Sequence, residues 1–363
     1  MADRNMDRNV SKLGIASAVL KAVGSASGRL VTSPFKGSNG SNTYFKDVMF
    51  AMFRTQLGNL SLAQDRYMNG TTTPIYLQFA KDNGFMPESI TLPSGAQAHW
   101  FGSSSVKKII VYLHGGGYVM PCGPGHQLWL NDLQKSLGPH VSALLLAYDL
   151  SPEHTYPTQL KQAVELVRHL VETEGRNPAD LVLGGDSAGG NLCLGLLSHL
   201  AHPHPEIQPL VLPSKIQAAL LISPWASLTQ TNSPAFKTNA QRDMFDARTL
   251  NRWAAAFLGD SSPFAGDFYS EPVLASSDWW TGVAHVIGEV LIWAGDNEIL
   301  RDGILAFANK FTKGFMAEGG LAHTIVTPKA CHEEMIIERI LGYKGDSGTG
   351  SQQVVRDWVK SKL

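Results

Sequence analysis

The chain has 363 residues, 44% of them hydrophobic and only 17% charged, so it can bury a large core and disorder is excluded. Thirty Lys and Arg against 31 Asp and Glu leave a net charge of −1, which gives no electrostatic grip on a phosphate backbone and excludes nucleic acid as a partner. The length is about twice the ~150 residues of a typical domain, which suits one large α/β domain with an appended cap.

Near the amino terminus, Leu13, Ala16, Leu20 and Val23 recur on one helical face, predicting a lid helix over residues 11–24 in preference to a membrane-surface anchor. Lys21 breaks its apolar stretch, Asp3 and Asp7 do not suit a signal-peptide leader, and no apolar run approaches the ~18 residues of a spanning helix. The Gly/Ser-rich stretch Thr32 to Thr43 is the strongest linker candidate, and from there to about Gln97 the pattern is irregular and helical.

The first clear strand, Lys107 to Leu113, ends abruptly in His114-Gly115-Gly116-Gly117. Glycines there let bare N–H groups point into a pocket, although a plain turn would use them too; a phosphate cradle is disfavoured because no Lys-Ser/Thr follows. Val141 to Tyr148 is the near-continuous apolar run of a strand buried on both faces. Leu160, Ala163, Val164, Val167, Leu170 and Val171 then recur at helical spacing over 159–173, completing a β-α-β unit.

Leu181 to Leu183 forms a short strand that runs into Gly184-Gly185-Asp186-Ser187-Ala188-Gly189-Gly190 and a helix from Gly189 to Leu200. Gly185 to Gly189 fits G-x-S-x-G with the strand before and helix after that the motif requires, which makes Ser187 the candidate nucleophile. The helix start turns N–H groups and its positive dipole end toward the same region. Beside such a serine, the glycine loop reads as an oxyanion hole with donors from Gly116, Gly117 and Ala188, and His114 as a residue that orients the loop.

Strands Ala218 to Ile222 and Val290 to Ala294 bracket an irregular insertion with a helix near Ala247 to Leu258. Strands alternating with helices predict one mostly parallel sheet flanked by helices. Beyond the last of these strands, Asp296, Glu298 and Asp302 are three candidate acids among which spacing does not choose. Only His323 and His332 follow that strand; His323 lies in a strand-like run and His332 in a polar turn opening a helix, so His332 is the candidate base. Cys122, Cys193 and Cys331 fit neither a disulfide framework nor a zinc site and point to a reduced compartment. The final Ser361-Lys362-Leu363 resembles the tripeptide read by the peroxisomal import receptor, which predicts a peroxisomal location.

With these residues in place, the stretch from about Ile109 to the helix after His332 resembles the hormone-sensitive-lipase-type esterases of the α/β-hydrolase superfamily. His114-Gly115-Gly116-Gly117-Tyr118 matches that family's oxyanion motif, and Gly185-Asp186-Ser187-Ala188-Gly189-Gly190-Asn191 its nucleophile motif. Tyr148-Asp149-Leu150-Ser151-Pro152-Glu153-His154 resembles its Y-R-L-A-P-E-H segment with Asp149 in place of Arg, and Ser223-Pro224-Trp225 also fits. Laying the family's D-x-L-R-D pattern on Leu300-Arg301-Asp302 puts Glu298 at the acid position, with Asp296 as the alternative. The resemblance implies an α/β-hydrolase fold over 91–363, a helical cap from residues 1–90 and an insertion at about 226–275.

It also implies a serine carboxylesterase acting on a small or medium hydrophobic ester, with no metal or organic cofactor required by a Ser-His-acid mechanism. Together with the terminal tripeptide, the chain resembles hydrolases of fungal secondary metabolism. A thioester such as an acyl-CoA would use the same machinery, although no dense Lys/Arg cluster marks a CoA phosphate site. A hydrolase-fold ligand receptor is the reading from another class, and receptors of that kind that resemble this family lose the histidine that stands here as His332. A homodimer through an edge strand or exposed helix is left open.

Overall fold

The computed structural model describes residues 10–259 and 265–363. Residues 1–9 of the expected cap segment, Asp3 and Asp7 among them, and 260–264 of the expected insertion lie outside the described residues.

Ser11 begins helix α1 (Lys12–Thr32) by accepting the Gly14 N–H on its hydroxyl. The helix is longer than the 11–24 read from periodicity, and it does not bury the face that was read. Leu13, Leu20 and Val23 are exposed, whereas Ala18 and Ala22 are buried. Small side chains let α1 lie close along α2 (Tyr44–Asn59), and that close approach decides which face packs. Helices α3 (Leu62–Asn69) and α4 (Thr72–Asp82) follow, α3 opened by a capping box between Ser61 and Gln64.

Two strands precede the first one legible in the sequence. β1 (Ser89–Thr91) and β2 (Gln97–Phe101) form an antiparallel pair at one sheet edge. β1 is three residues long and mostly exposed, so it carries no periodic apolar signal. Strands and helices then alternate through β3 (Lys108–Leu113), α5 (Pro124–Leu137), β4 (Val141–Ala147), α6 (Thr158–Arg168), β5 (Leu181–Asp186), α7 (Ser187–Ala201) and β6 (Ile216–Ile222). A one-turn helix at Pro234–Thr238 precedes α8 (Ala247–Leu258), and after β7 (Ile287–Gly295), α9 (Arg301–Ala317) and β8 (Leu321–Thr327) the described chain closes on two successive helices, α10 (Glu334–Ile340) and α11 (Ser351–Lys360). The stretch expected to be helical to residue 173 leaves α-helical geometry at His169, where a π-helical turn completes it.

Among the described residues the sheet has eight strands in the order β1-β2-β4-β3-β5-β6-β7-β8, with every pair from β4 to β8 parallel. Leu113 pairs with Gly185, and Asp186 with Ile222, which pairs with Trp293. The register thus brings the carboxyl ends of β3, β5, β6 and β7 to one rim, where open α/β sheets bind their ligands. One core layer joins Leu183, Leu192, Leu221 and Ile292, and the other joins Ile110, Tyr112, Trp129 and Leu145. β5 and nearly all of α7 are buried, as a central strand and helix must be.

All three cysteines are free and buried, and burial pushes each thiol up from its ordinary value. At the carboxyl end, Lys362 pairs with Glu289 of β7 at 2.8 Å and Leu363 packs against the second core layer. No described helix is long and apolar enough to cross a membrane.

Candidate active site

Ser187 sits where β5 becomes α7, with φ +47°, a left-handed conformation that a non-glycine residue adopts only under constraint. The turn is possible because its flanking glycines have no side chains. A Cβ at Gly189 would stand 1.9 Å from the Leu113 carbonyl oxygen, and one at Gly185 would stand 2.4 Å from the Gly189 carbonyl oxygen. The serine lines a cavity of about 520 Å³ shared with Gly116, Gly117, His126, His332 and Glu333.

The glycine loop after β3 is held from behind. His114 is buried, stacks on Tyr148 at 4.2 Å, places Nδ1 2.7 Å from the Gly115 carbonyl and Nε2 3.3 Å from the Thr72 hydroxyl. Burial lowers its pKa to about 4, so it is a neutral anchor for the loop. Tyr148 Oη donates to the His114 carbonyl at 2.6 Å. Gly116 and Gly117 have φ +102° and +61°, and a Cβ on Gly117 would fall 2.2 Å from the Trp253 ring. Ala188, the third sequence-predicted donor, follows Ser187 in the first turn of α7 and is buried.

Of the three candidate acids, the structure brings Glu298 to His332. His332 Nδ1 lies 2.7 Å from Glu298 Oε2, with both side chains buried. The other oxygen, Oε1, accepts from the Gly295 N–H at 2.7 Å and the Ser223 hydroxyl at 3.1 Å. Asp296 turns outward and pairs with Arg301 at 3.0 Å, its side chain 46% exposed. Asp302 accepts the Ala235 N–H and pairs with Arg301 as well. His323 lies on β8 and faces Glu289 at 3.0 Å. Asp149, which stands where the resembled segment has Arg, accepts from Gln162 at 2.7 Å.

Four residues of this site escaped the sequence reading as participants. Ser223 (φ +46°) links the acid to the next turn, because its hydroxyl also accepts the Glu333 N–H at 3.1 Å. Trp253, on α8, forms a wall against the glycine loop after β3. His126, on α5, reaches Asp186 at 3.1 Å, while Asp186 also accepts from Tyr112 Oη at 2.5 Å and the Gly115 N–H at 2.9 Å. Burial works against the Asp186 carboxylate, but the His126 charge and these hydrogen bonds hold its pKa below the usual range. Glu333, with φ +49°, places Oε1 3.2 Å from His332 Nε2 and Oε2 3.8 Å from His126 Nε2. Burial and then the charge of Asp186 push the Glu333 carboxyl upward. The adjacency of Glu333 to His332 was visible, but nothing in the spacing told which way it would turn. His126, Asp186 and Glu333 bring potential ligand atoms within 4.8 Å of one another, with Asp186 already engaged by three hydrogen bonds.

The rest of the cavity is largely apolar, lined by Phe53 and Leu57 of α2, Met68 of α3, and Met120, Phe245 and Ile337 among others.

Comparison with known proteins agrees with this architecture. A family model described as alpha/beta hydrolase fold matches residues 110–336. The chain is 29% identical over 237 residues to a protein of Schizosaccharomyces pombe named "Putative steryl acetyl hydrolase mug81"; the match covers 63% of this chain and spans 59% of that relative's length. An acetyl-hydrolase of Streptomyces hygroscopicus is 28% identical over 222 residues, 60% of this chain and 67% of its own. Among solved structures, EstE5 soaked with p-nitrophenyl butyrate superposes with a TM-score of 0.59 at 26% identity, covering 81% of this chain and 92% of its own.

Proposed function

The chain belongs to the α/β-hydrolase family, and on that premise we propose that it is a serine hydrolase of carboxylic esters, of the hormone-sensitive-lipase type, working through an acyl-enzyme on Ser187. The observation that carries the proposal is the 2.7 Å contact between His332 Nδ1 and Glu298, made in the cavity that Ser187 lines from a strained turn. Ser187 Oγ attacks the acyl carbonyl and gives its proton to His332 Nε2, while Glu298 accepts the Nδ1 proton and stabilises the imidazolium. The N–H groups of Gly116, Gly117 and Ala188 receive the oxyanion, each contributing roughly 2.7–4 kcal/mol. Collapse expels the alcohol with the proton from His332, and water then releases the acid by the same route in reverse.

A small acyl group on an apolar alcohol is the substrate class. The names of the relatives support acetate, the Trp253 ring on Gly117 takes up space beside the oxyanion loop, and the apolar walls leave the larger volume for the alcohol. Ser361-Lys362-Leu363 supports peroxisomal delivery, and the resemblance to fungal tailoring enzymes supports a place in secondary metabolism. The test is burst kinetics with p-nitrophenyl acetate and acetyl-CoA. A stoichiometric burst that vanishes in Ser187→Ala is expected, with the higher kcat/KM on the oxygen ester; a higher value on the thioester would reassign the substrate, and no burst on either would overturn the reading. Deleting Leu363 from a fluorescent fusion is expected to abolish peroxisomal import, and import without it would remove that part of the proposal.

The pH profile follows from the carboxylates around His332. Burial alone would lower its pKa, but the charge of Glu333 and the hydrogen bond to Glu298 raise it well above 6.5. A general base works only when deprotonated, so activity is lost as pH falls through this raised value. The acid limb of kcat/KM should therefore lie above pH 6.5, and Glu333→Gln should move it to lower pH. A limb at or below 6.5 in the wild type would contradict the assignment.

A further inference from the structure

Glu333 is an expensive residue where it stands. Its side chain is 4% exposed, its backbone is left-handed, and its Oε1 makes no aligned hydrogen bond to any described residue although His332 Nε2 is 3.2 Å away. A buried carboxylate oxygen without such a partner carries a desolvation cost, and strain at a pocket residue is a pointer to use. The seat is cleared by Gly115, where a Cβ would come within 2.7 Å of Oε1, and it is pinned by the Glu333 N–H donating to Ser223.

Position decides what this oxygen faces. His332 Nε2 hands its proton to the departing alcohol, so that alcohol's oxygen lies within hydrogen-bond reach of Nε2, and Glu333 flanks the same nitrogen. Resting on the esterase reading above, the geometry points to Glu333 as a receptor for a hydroxyl on the carbon next to the ester-bearing carbon of the alcohol. The preferred substrates are then monoesters of vicinal diols, with the free hydroxyl donating to Oε1 and the remaining carbon skeleton against the apolar walls. His126 Nε2 is engaged with Asp186 and stands 3.8 Å from Oε2, on the other side of the carboxyl from the face that Oε1 presents to the ligand. No bond is made or broken at Glu333, whose role is to bind and orient the leaving group.

The test compares trans-2-hydroxycyclohexyl acetate with cyclohexyl acetate, which differ only in that hydroxyl. The wild type should favour the hydroxy ester by about tenfold or more in kcat/KM, the usual scale for a buried polar group left without its hydrogen-bond partner. Glu333→Leu should bring the ratio to within about twofold. Glu333→Gln, which keeps the shape and a neutral acceptor, should leave an intermediate ratio and serves if the leucine variant does not fold. A wild-type ratio near one, or a ratio unchanged in the variants, overturns the receptor while leaving the esterase intact. If the wild type cleaves neither these esters nor p-nitrophenyl acetate, the esterase reading fails and the receptor falls with it.

Discussion

Ser187→Ala is expected to lower kcat by about 10⁶, the scale seen when a nucleophile is removed from a serine triad, and Glu298→Gln by about 10⁴. The second figure has a structural reason. Glu298 takes hydrogen bonds on both oxygens, from Gly295 N–H and Ser223 Oγ on one and His332 Nδ1 on the other. An amide placed there can turn an N–H toward Nδ1, which makes that nitrogen an acceptor and moves the imidazole proton to Nε2. In that tautomer His332 has no lone pair for the serine proton. Asp296→Asn should stay within about twofold of the wild type, because Asp296 is engaged with Arg301 at the surface. Steady-state kcat on one chromogenic ester separates the three variants, and an Asp296 effect matching that of Glu298 would overturn the choice of acid.

Lys46→Ala should destabilise the fold by about 3–5 kcal/mol, the scale for removing one partner from a buried ion pair. Lys46, from α2, is fully buried against Glu334 and Glu338 of α10, the latter at 3.2 Å, and donates to Ser347 at 2.6 Å. Without the ammonium, two buried carboxylates face each other unpaired. The cost should show as an earlier urea midpoint at unchanged slope. Replacing Lys46, Glu334 and Glu338 together by apolar residues of similar volume should recover much of the loss, since that removes the stranded charges. A midpoint for Lys46→Ala equal to the wild type would show that the trio is dispensable. The same trio bears on catalysis, because Glu334 follows Glu333 in the turn that carries His332 and accepts the Cys331 N–H at 2.7 Å.

The parts legible in the sequence were those with strong local signals. Val141–Ala147 is apolar throughout because both its faces are covered, and Ala247–Leu258 repeats its apolar residues at helical spacing. The elbow and the glycine loop were legible because sterics leave few alternatives there. The edge strand β1 was not, since a three-residue strand half in solvent needs no pattern, and the five-residue, buried β2 was not because Gln97 and His99 interrupt its apolar run. In α1 the apolar residues misled: packing selected the small face of Ala18 and Ala22 over the larger side chains. α5 was missed because its buried face includes His126, Gln127, Asn131 and Gln134, polar residues satisfied only in three dimensions. Glu298 was legible only through the family resemblance around Leu300-Arg301-Asp302, and its choice over Asp296 depends on how the loop after β7 turns, which no local rule reports.

The three buried cysteines have a practical corollary. A thiolate is the species that reacts with alkylating labels, and none of Cys122, Cys193 or Cys331 is accessible or readily ionised. The native chain therefore offers a silent background for site-directed labelling. One cysteine introduced on the exposed face of α1, at Leu20 for instance, and a second on an exposed helix that flanks the sheet would carry a fluorophore pair, so that the separation of α1 from the sheet could be followed during turnover without first removing any native thiol.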